Sequence, residues 1–137
     1  MMVDLFAPKR EDKLKIYTIG YGLRPMDVFL TILQGNGIDL LVDIRTKPYS
    51  RNPQFILKNL TASLKSRNIE LRWFGPKLGG IGGLSPDDWR KALPEVIELA
   101  KENTIVIMCA EKDVNQCHRL QIGEMLRDEH GCEIVHL

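Results

Sequence analysis

The stretch IVIMCAEKDVNQCHRLQIGEML, residues 105–126, begins as one kind of structure and ends as another. Thr104 to Cys109 reads as a short strand whose apolar run from Ile105 fits burial on both faces. From about Gln116 to His130 the pattern becomes that of an amphipathic helix with Asn115 as its cap, and Gly131 stops it. A buried strand feeding a helix is half of a βαβ unit, in which parallel strands are joined by crossover helices.

The alternation extends through the chain in both directions. Lys15 to Ile19 reads as a first strand, closed by Gly20 and Gly22. Pro25 opens a helix with Met26, Phe29, Leu30 and Leu33 on one face, ending near Gly35 and Gly37. Ile38 to Ile44 (IDLLVDI) is a second, mostly apolar strand. Asn52 and Pro53 form a cap and first-turn pair, starting a helix that buries Ile56, Leu60 and Leu64. Ile69 to Phe74 is a third strand. Ser85 and Pro86 start the next helix, with Asp87 and Asp88 in the first turn, where the helix dipole favours acids. Its buried stripe is Trp89, Leu93, Val96, Ile97 and Ala100, and Pro94 is expected to kink or split it, because proline removes a hydrogen bond and crowds the preceding turn. Cys132 to Leu137 closes the chain as a final strand.

Five strands separated by helices predict an α/β domain over residues 15–137: three layers, α/β/α, around a five-stranded parallel, Rossmann-like sheet. Residues 1–14 read as a flexible polar arm. A strand order of 3-2-1-4-5 would make the ends of strands one, two and four neighbours, and parallel sheets bind ligands at such carboxyl ends.

Composition narrows the function classes. The chain has 137 residues, enough for one domain and too few for two. Its net charge of +1 points to no strongly basic nucleic-acid or membrane surface. No apolar run approaches the length of a membrane span. The opening MMVDLFAPKREDKLK lacks the apolar segment and cleavage site of a secretory signal. Three cysteines at irregular spacing argue against a disulfide framework and for reduced thiols in a cytoplasmic setting.

The chemistry-bearing residues gather at the predicted strand ends. Cys109 ends the fourth strand, where its thiol either faces a crevice or packs as a small core group. Cys117, read in the first turn of the last helix, would have its thiolate stabilised by free backbone N–H groups and the helix dipole. His118 and Glu111 are placed to move protons. Asp43 at a buried strand end needs a partner, Arg45 or Arg119, and Tyr21, Arg45, Lys47, Arg51 and Arg119 could hold an anionic substrate. The cysteines and His118 lack the paired spacing of a structural zinc site, so no metal is expected. LGGIGG, residues 78–83, lacks the lysine and spacing of a phosphate-binding loop, and no other cofactor motif is present. Those glycines fit either tight turns or a mobile lid.

These residues resemble a known family. TIGYG (18–22), LLVDIRTKPYSRNPQF (40–55), LGG (78–80), MCAEKDVNQCHR (108–119) and the closing IVHL are similar to the family called domain of unknown function 488, over about Ile16 to Leu137. In that family TIG is commonly followed by His-Ser, whereas Tyr21-Gly22 stands here. The resemblance implies a fold and a site more than a reaction. More loosely, the strand–Cys–loop–helix order is similar to that of rhodaneses and cysteine-dependent phosphatases, from which it departs by placing Glu111 and Asp113 inside the loop.

Two functional readings follow. One is a thiol-dependent enzyme, a transferase or hydrolase, using Cys109, Cys117, Glu111 and His118 on an anionic small molecule or nucleotide held by Asp43, Arg45, Arg51, Tyr21 and Arg119. The other is a non-catalytic module that binds a nucleotide or nucleic-acid end through its basic residues.

Overall fold

A computed structural model describes residues 13–137, so most of the N-terminal arm read at 1–14 lies outside the described residues. The element order is β1 (Lys15–Gly20), α1 (Met26–Gly35), β2 (Leu40–Asp43), α2 (Leu57–Lys65), β3 (Glu70–Trp73), α3 (Gly75–Leu78), α4 (Pro86–Glu102), β4 (Ile105–Cys109), α5 (Arg119–His130) and β5 (Glu133–His136). All strand pairs are parallel, and helices cover both faces of the sheet. The α/β/α class read from the alternation is the class observed.

The strand order is β3-β2-β4-β1-β5, not the expected 3-2-1-4-5. β4 rather than β1 takes the centre, and the burial of the two strands shows why. Every residue of β4 is buried, while β1 begins with exposed Lys15 and half-buried Tyr17. The strand with the longest apolar run occupies the position that exposes least edge and face to water.

Side-chain alternation divides the core in two. Ile105, Ile107 and Cys109 of β4, with Val42 of β2, pack against α4 and α5. Val106 and Met108 of β4, with Leu41 of β2, pack against α1 and α2. The period of two therefore points Asp43 to the α1/α2 side and Cys109 to the α4/α5 side. The chain leaves β2 toward one face and β4 toward the other, which opens a crevice at their carboxyl ends.

Local chemistry explains most element boundaries. Ser85 and Asp88 form a reciprocal cap: Ser85 Oγ accepts the Asp88 N–H at 3.3 Å, and Asp88 Oδ2 accepts the Ser85 N–H at 2.8 Å. Pro94, expected to kink or split α4, does not split it, and the helix is continuous through it. Pro94 is exposed and follows exposed Arg90, so water can satisfy the orphaned carbonyl while Leu93, Val96 and Ala100 hold the helix on the sheet. Asn52 caps a 3-10 turn, Pro53–Phe55, by accepting the Gln54 N–H at 3.1 Å. The α-helix starts only at Leu57, so Phe55 is fully buried and Ile56, expected in the core, is half-buried. Among the described residues no helix is long and apolar enough to cross a membrane.

Candidate functional site

The crevice between the ends of β2 and β4 is a cleft of about 570 Å³, lined by residues 45–47, 49, 80–81, 109–111 and 117–118. It brings Arg45, Cys109, Glu111, Cys117 and His118 together. A second depression of about 420 Å³ beside α2 and β3 has no thiol or imidazole in its lining. Tyr21, Asp43 and Arg119 are buried and do not line the cleft, and Arg51 is exposed outside it.

Cys117 was expected in the first turn of the last helix, with Asn115 as cap, and it lies elsewhere. Asp113 is the cap, accepting the Asn115 N–H at 2.9 Å and winding Val114–Gln116 into a 3-10 turn. Cys117 is extended (φ −137°, ψ 143°), and α5 begins two residues later at Arg119. The helix N-terminus still reaches the sulfur, because the Arg119 N–H donates to Cys117 Sγ at 3.4 Å. His118 Nδ1 is 3.8 Å from the same sulfur, and its Nε2 is 2.7 Å from the Leu78 carbonyl oxygen. A carbonyl can only accept, so Nε2 carries a proton and Nδ1 faces the thiol.

Cys109 completes the pair. It is buried at the end of β4 and lines the same cleft as Cys117; its thiol donates to the Glu111 carbonyl oxygen at 3.6 Å, and its sulfur accepts Arg119 Nε–H at 3.2 Å. Both cysteines are free thiols. The hydrogen bond from Cys109 is the strongest influence on Cys117, and His118 and the Arg119 N–H assist it. Together they overcome burial and pull its pKa down to about 4. Cys109 moves the opposite way, held protonated by its hydrogen bond to Cys117, by burial and by the Cys117 charge, against the pull of Arg119. These opposite shifts favour one thiolate and one thiol for the pair at neutral pH.

Of the arginines expected to hold substrate, Arg45 and Arg119 are engaged within the fold. Arg45 Nε donates to Asp43 Oδ1 and Oδ2 at 2.9 and 3.1 Å, Nη2 to Oδ2 at 2.7 Å, and Nη1 to the Phe55 carbonyl at 2.7 Å. Asp43 thus pairs with Arg45 and not Arg119, as the opposite facing of Asp43 and Cys109 requires. The Arg45 guanidinium also lies 5.5 Å from the centre of the Tyr21 ring, which stacks on Phe55. Arg119 donates to Thr18 Oγ1 at 2.9 Å and to the carbonyls of Glu111 and Lys112 at 2.9 and 3.2 Å. Glu111 lines the cleft, and its backbone carbonyl serves Arg119.

Two glycines admit contacts that any side chain would block. A Cβ on Gly20 would lie 1.6 Å from the Glu111 carbonyl oxygen, so the glycine of TIG lets the loop after β4 press against the end of β1. A Cβ on Gly80 would come within 2.5 Å of His118 Nδ1. The LGG element is therefore the wall behind the imidazole, a role its spacing did not disclose. Thr18 and the Leu78 carbonyl were likewise missed. Thr18 stands in the TIGYG motif and marks where Arg119 docks. Among the described residues no three His, Cys, Asp or Glu side chains converge to hold a metal ion.

Fold and site together define a three-layer α/β/α domain with two free thiols lining a cleft at the carboxyl end of its central strand. The family model described as Domain of unknown function DUF488 matches residues 25–86 and 83–126, most of the chain. The chain belongs to that family. No curated protein and no solved structure matches it.

Proposed function

We propose that this protein is a thiol-dependent enzyme in which the Cys117 thiolate attacks a small anionic substrate bound in the β2/β4 cleft. One observation carries the reading: Cys117 Sγ faces an imidazole oriented by a backbone carbonyl, beside a second thiol, on the wall of a cleft open to solvent. An activated nucleophile needs that arrangement, in which a neighbouring group stabilises the anion and a third group fixes the neighbour. Once Nδ1 has taken the Cys117 proton, His118 can pass it to the leaving group. Among the described residues lining the cleft, exposed Lys47 is the cation without an acceptor, and it suits a carboxylate or phosphate on the substrate. Glu111 at the same wall disfavours multiply charged phosphates, which supports a small molecule over a nucleotide or nucleic-acid end.

The test is the rate of alkylation by iodoacetamide against pH, with the modified peptide identified by mass. Cys117 should react at a rate that is flat through neutral pH and falls as the pH drops toward about 4. A rate that rises only in the alkaline range of an ordinary thiol would remove the nucleophile.

A further inference from the structure

Arg119 presents a charge that needs an anion. Its side chain is fully buried, and among the described residues it pairs with no carboxylate. Its partners are the Thr18 hydroxyl, two backbone carbonyls and the Cys109 sulfur. His136 hydrogen-bonds the same hydroxyl, and burial, then repulsion by Arg119 and Arg127, lowers its pKa and keeps it neutral. Burying a guanidinium against neutral groups alone is costly. Of the groups bonded to its side chain, Cys109 is the one that ionises to an anion, and the Arg119 backbone N–H reaches the Cys117 sulfur.

Access orders the two sulfurs. Cys117 is half-exposed, while Cys109 is only 3 % exposed, so a substrate in the cleft meets Cys117 first. Capping Cys117 removes both its charge and its acceptor role, two of the three influences that keep Cys109 protonated. Burial remains, and so does the pull of Arg119 on the sulfur 3.2 Å from its Nε.

We propose that Cys109 is a latent second nucleophile, unmasked by capping of Cys117 and activated by Arg119, and that the cleft reduces small disulfides through a Cys109–Cys117 disulfide. The proposal rests on Cys117 being the first nucleophile. In the first step the Cys117 thiolate attacks one sulfur of the substrate R–S–S–R′. A Cys117–S–S–R bond forms, the substrate S–S bond breaks, and R′–S⁻ leaves and takes a proton from His118 or water. Cys109 then gives up its proton to water in the cleft and attacks the Cys117 sulfur. The mixed disulfide breaks, R–S⁻ leaves and is protonated, and the Cys109–Cys117 disulfide forms. Two electrons pass from the dithiol to the substrate, and a dithiol reductant restores the resting pair.

The experiment uses the full chain and a chromogenic aromatic disulfide at neutral pH, with peptide mass mapping to keep Cys132 separate. Two chromophores should be released per chain, no label retained, and the mapped Cys109–Cys117 peptide two hydrogens lighter than the dithiol. Cys109→Ser should release half as much chromophore and keep the label on Cys117. Fast release of one chromophore from the unaltered chain, with the label stable on Cys117, overturns the role of Cys109 and leaves the nucleophile intact. No fast release at all overturns both.

Discussion

Replacing Arg119 by Met removes the buried cation while keeping a long stem in the core. The guanidinium Nε is 3.2 Å from Cys109 Sγ, and its charge is spread over a group centred about 4 Å away. At an effective dielectric of about 20, a full thiolate on Cys109 would gain about 4 kcal/mol, or about three pKa units. The negative charge resides mainly on Cys117, which meets Arg119 through its backbone N–H and not its guanidinium; for a separation about twice as large, about half of that gain would reach it. The pH at which Cys117 alkylation falls off should therefore rise from about 4 by about one to three units. The carbonyls of Glu111 and Lys112 lose their donor at the same time, so the variant should also be less stable, by about 1–3 kcal/mol. Alkylation against pH, measured where circular dichroism shows the variant folded, separates the two effects. A folded Arg119→Met protein with an unshifted profile would refute the charge argument.

Other outcomes follow from the same geometry. Gly80→Ala should drive His118 from the sulfur and slow alkylation at mildly acidic pH by about three- to tenfold, with little change in the urea midpoint because Gly80 is exposed. Asp43→Ala leaves Arg45 buried without its carboxylate and should cost about 3–5 kcal/mol in urea unfolding. Thiol reactivity should survive that change, since Asp43 points to the opposite face of the sheet from Cys109. The Cys117 pKa is depressed in the folded state, from its ordinary 9.0 to about 4. Its contribution to stability is therefore fully present above the unfolded value and lost as pH falls through the folded one. Between those limits unfolding should take up about one proton at this site, and Cys117→Ser should flatten that part of the stability curve measured in urea.

Local signals explain what the sequence disclosed. The apolar runs of β2 and β4, the stripe of α1 and the Ser85–Asp88 cap are patterns over a few residues, and each appears where it was read. Strand order is a property of pairing between distant segments, and β1 and β4 exchanged places relative to the reading. The full burial of Ile105–Cys109 was the available clue to its central position. At the site, alternation along β4 already placed Cys109 with Ile105 and Ile107, on the face that α5 covers. What no local pattern could show was that Arg119 turns wholly inward, ten residues along the chain from the thiol it meets. Cys117 lies outside the helix because α5 starts about three residues later than its pattern suggests, at Arg119 and not Gln116, with Asp113 in place of Asn115 capping the preceding turn.

The shared proton of the cysteine pair is tested most directly by thiolate ultraviolet absorbance, titrated from neutral to strongly acidic pH and compared with Cys117→Ser. One thiolate per chain should be present at neutral pH and disappear near pH 4, and Cys117→Ser should remove that step. A chain that shows no thiolate until the alkaline range would contradict the nucleophile, the role of Arg119 and the second step together.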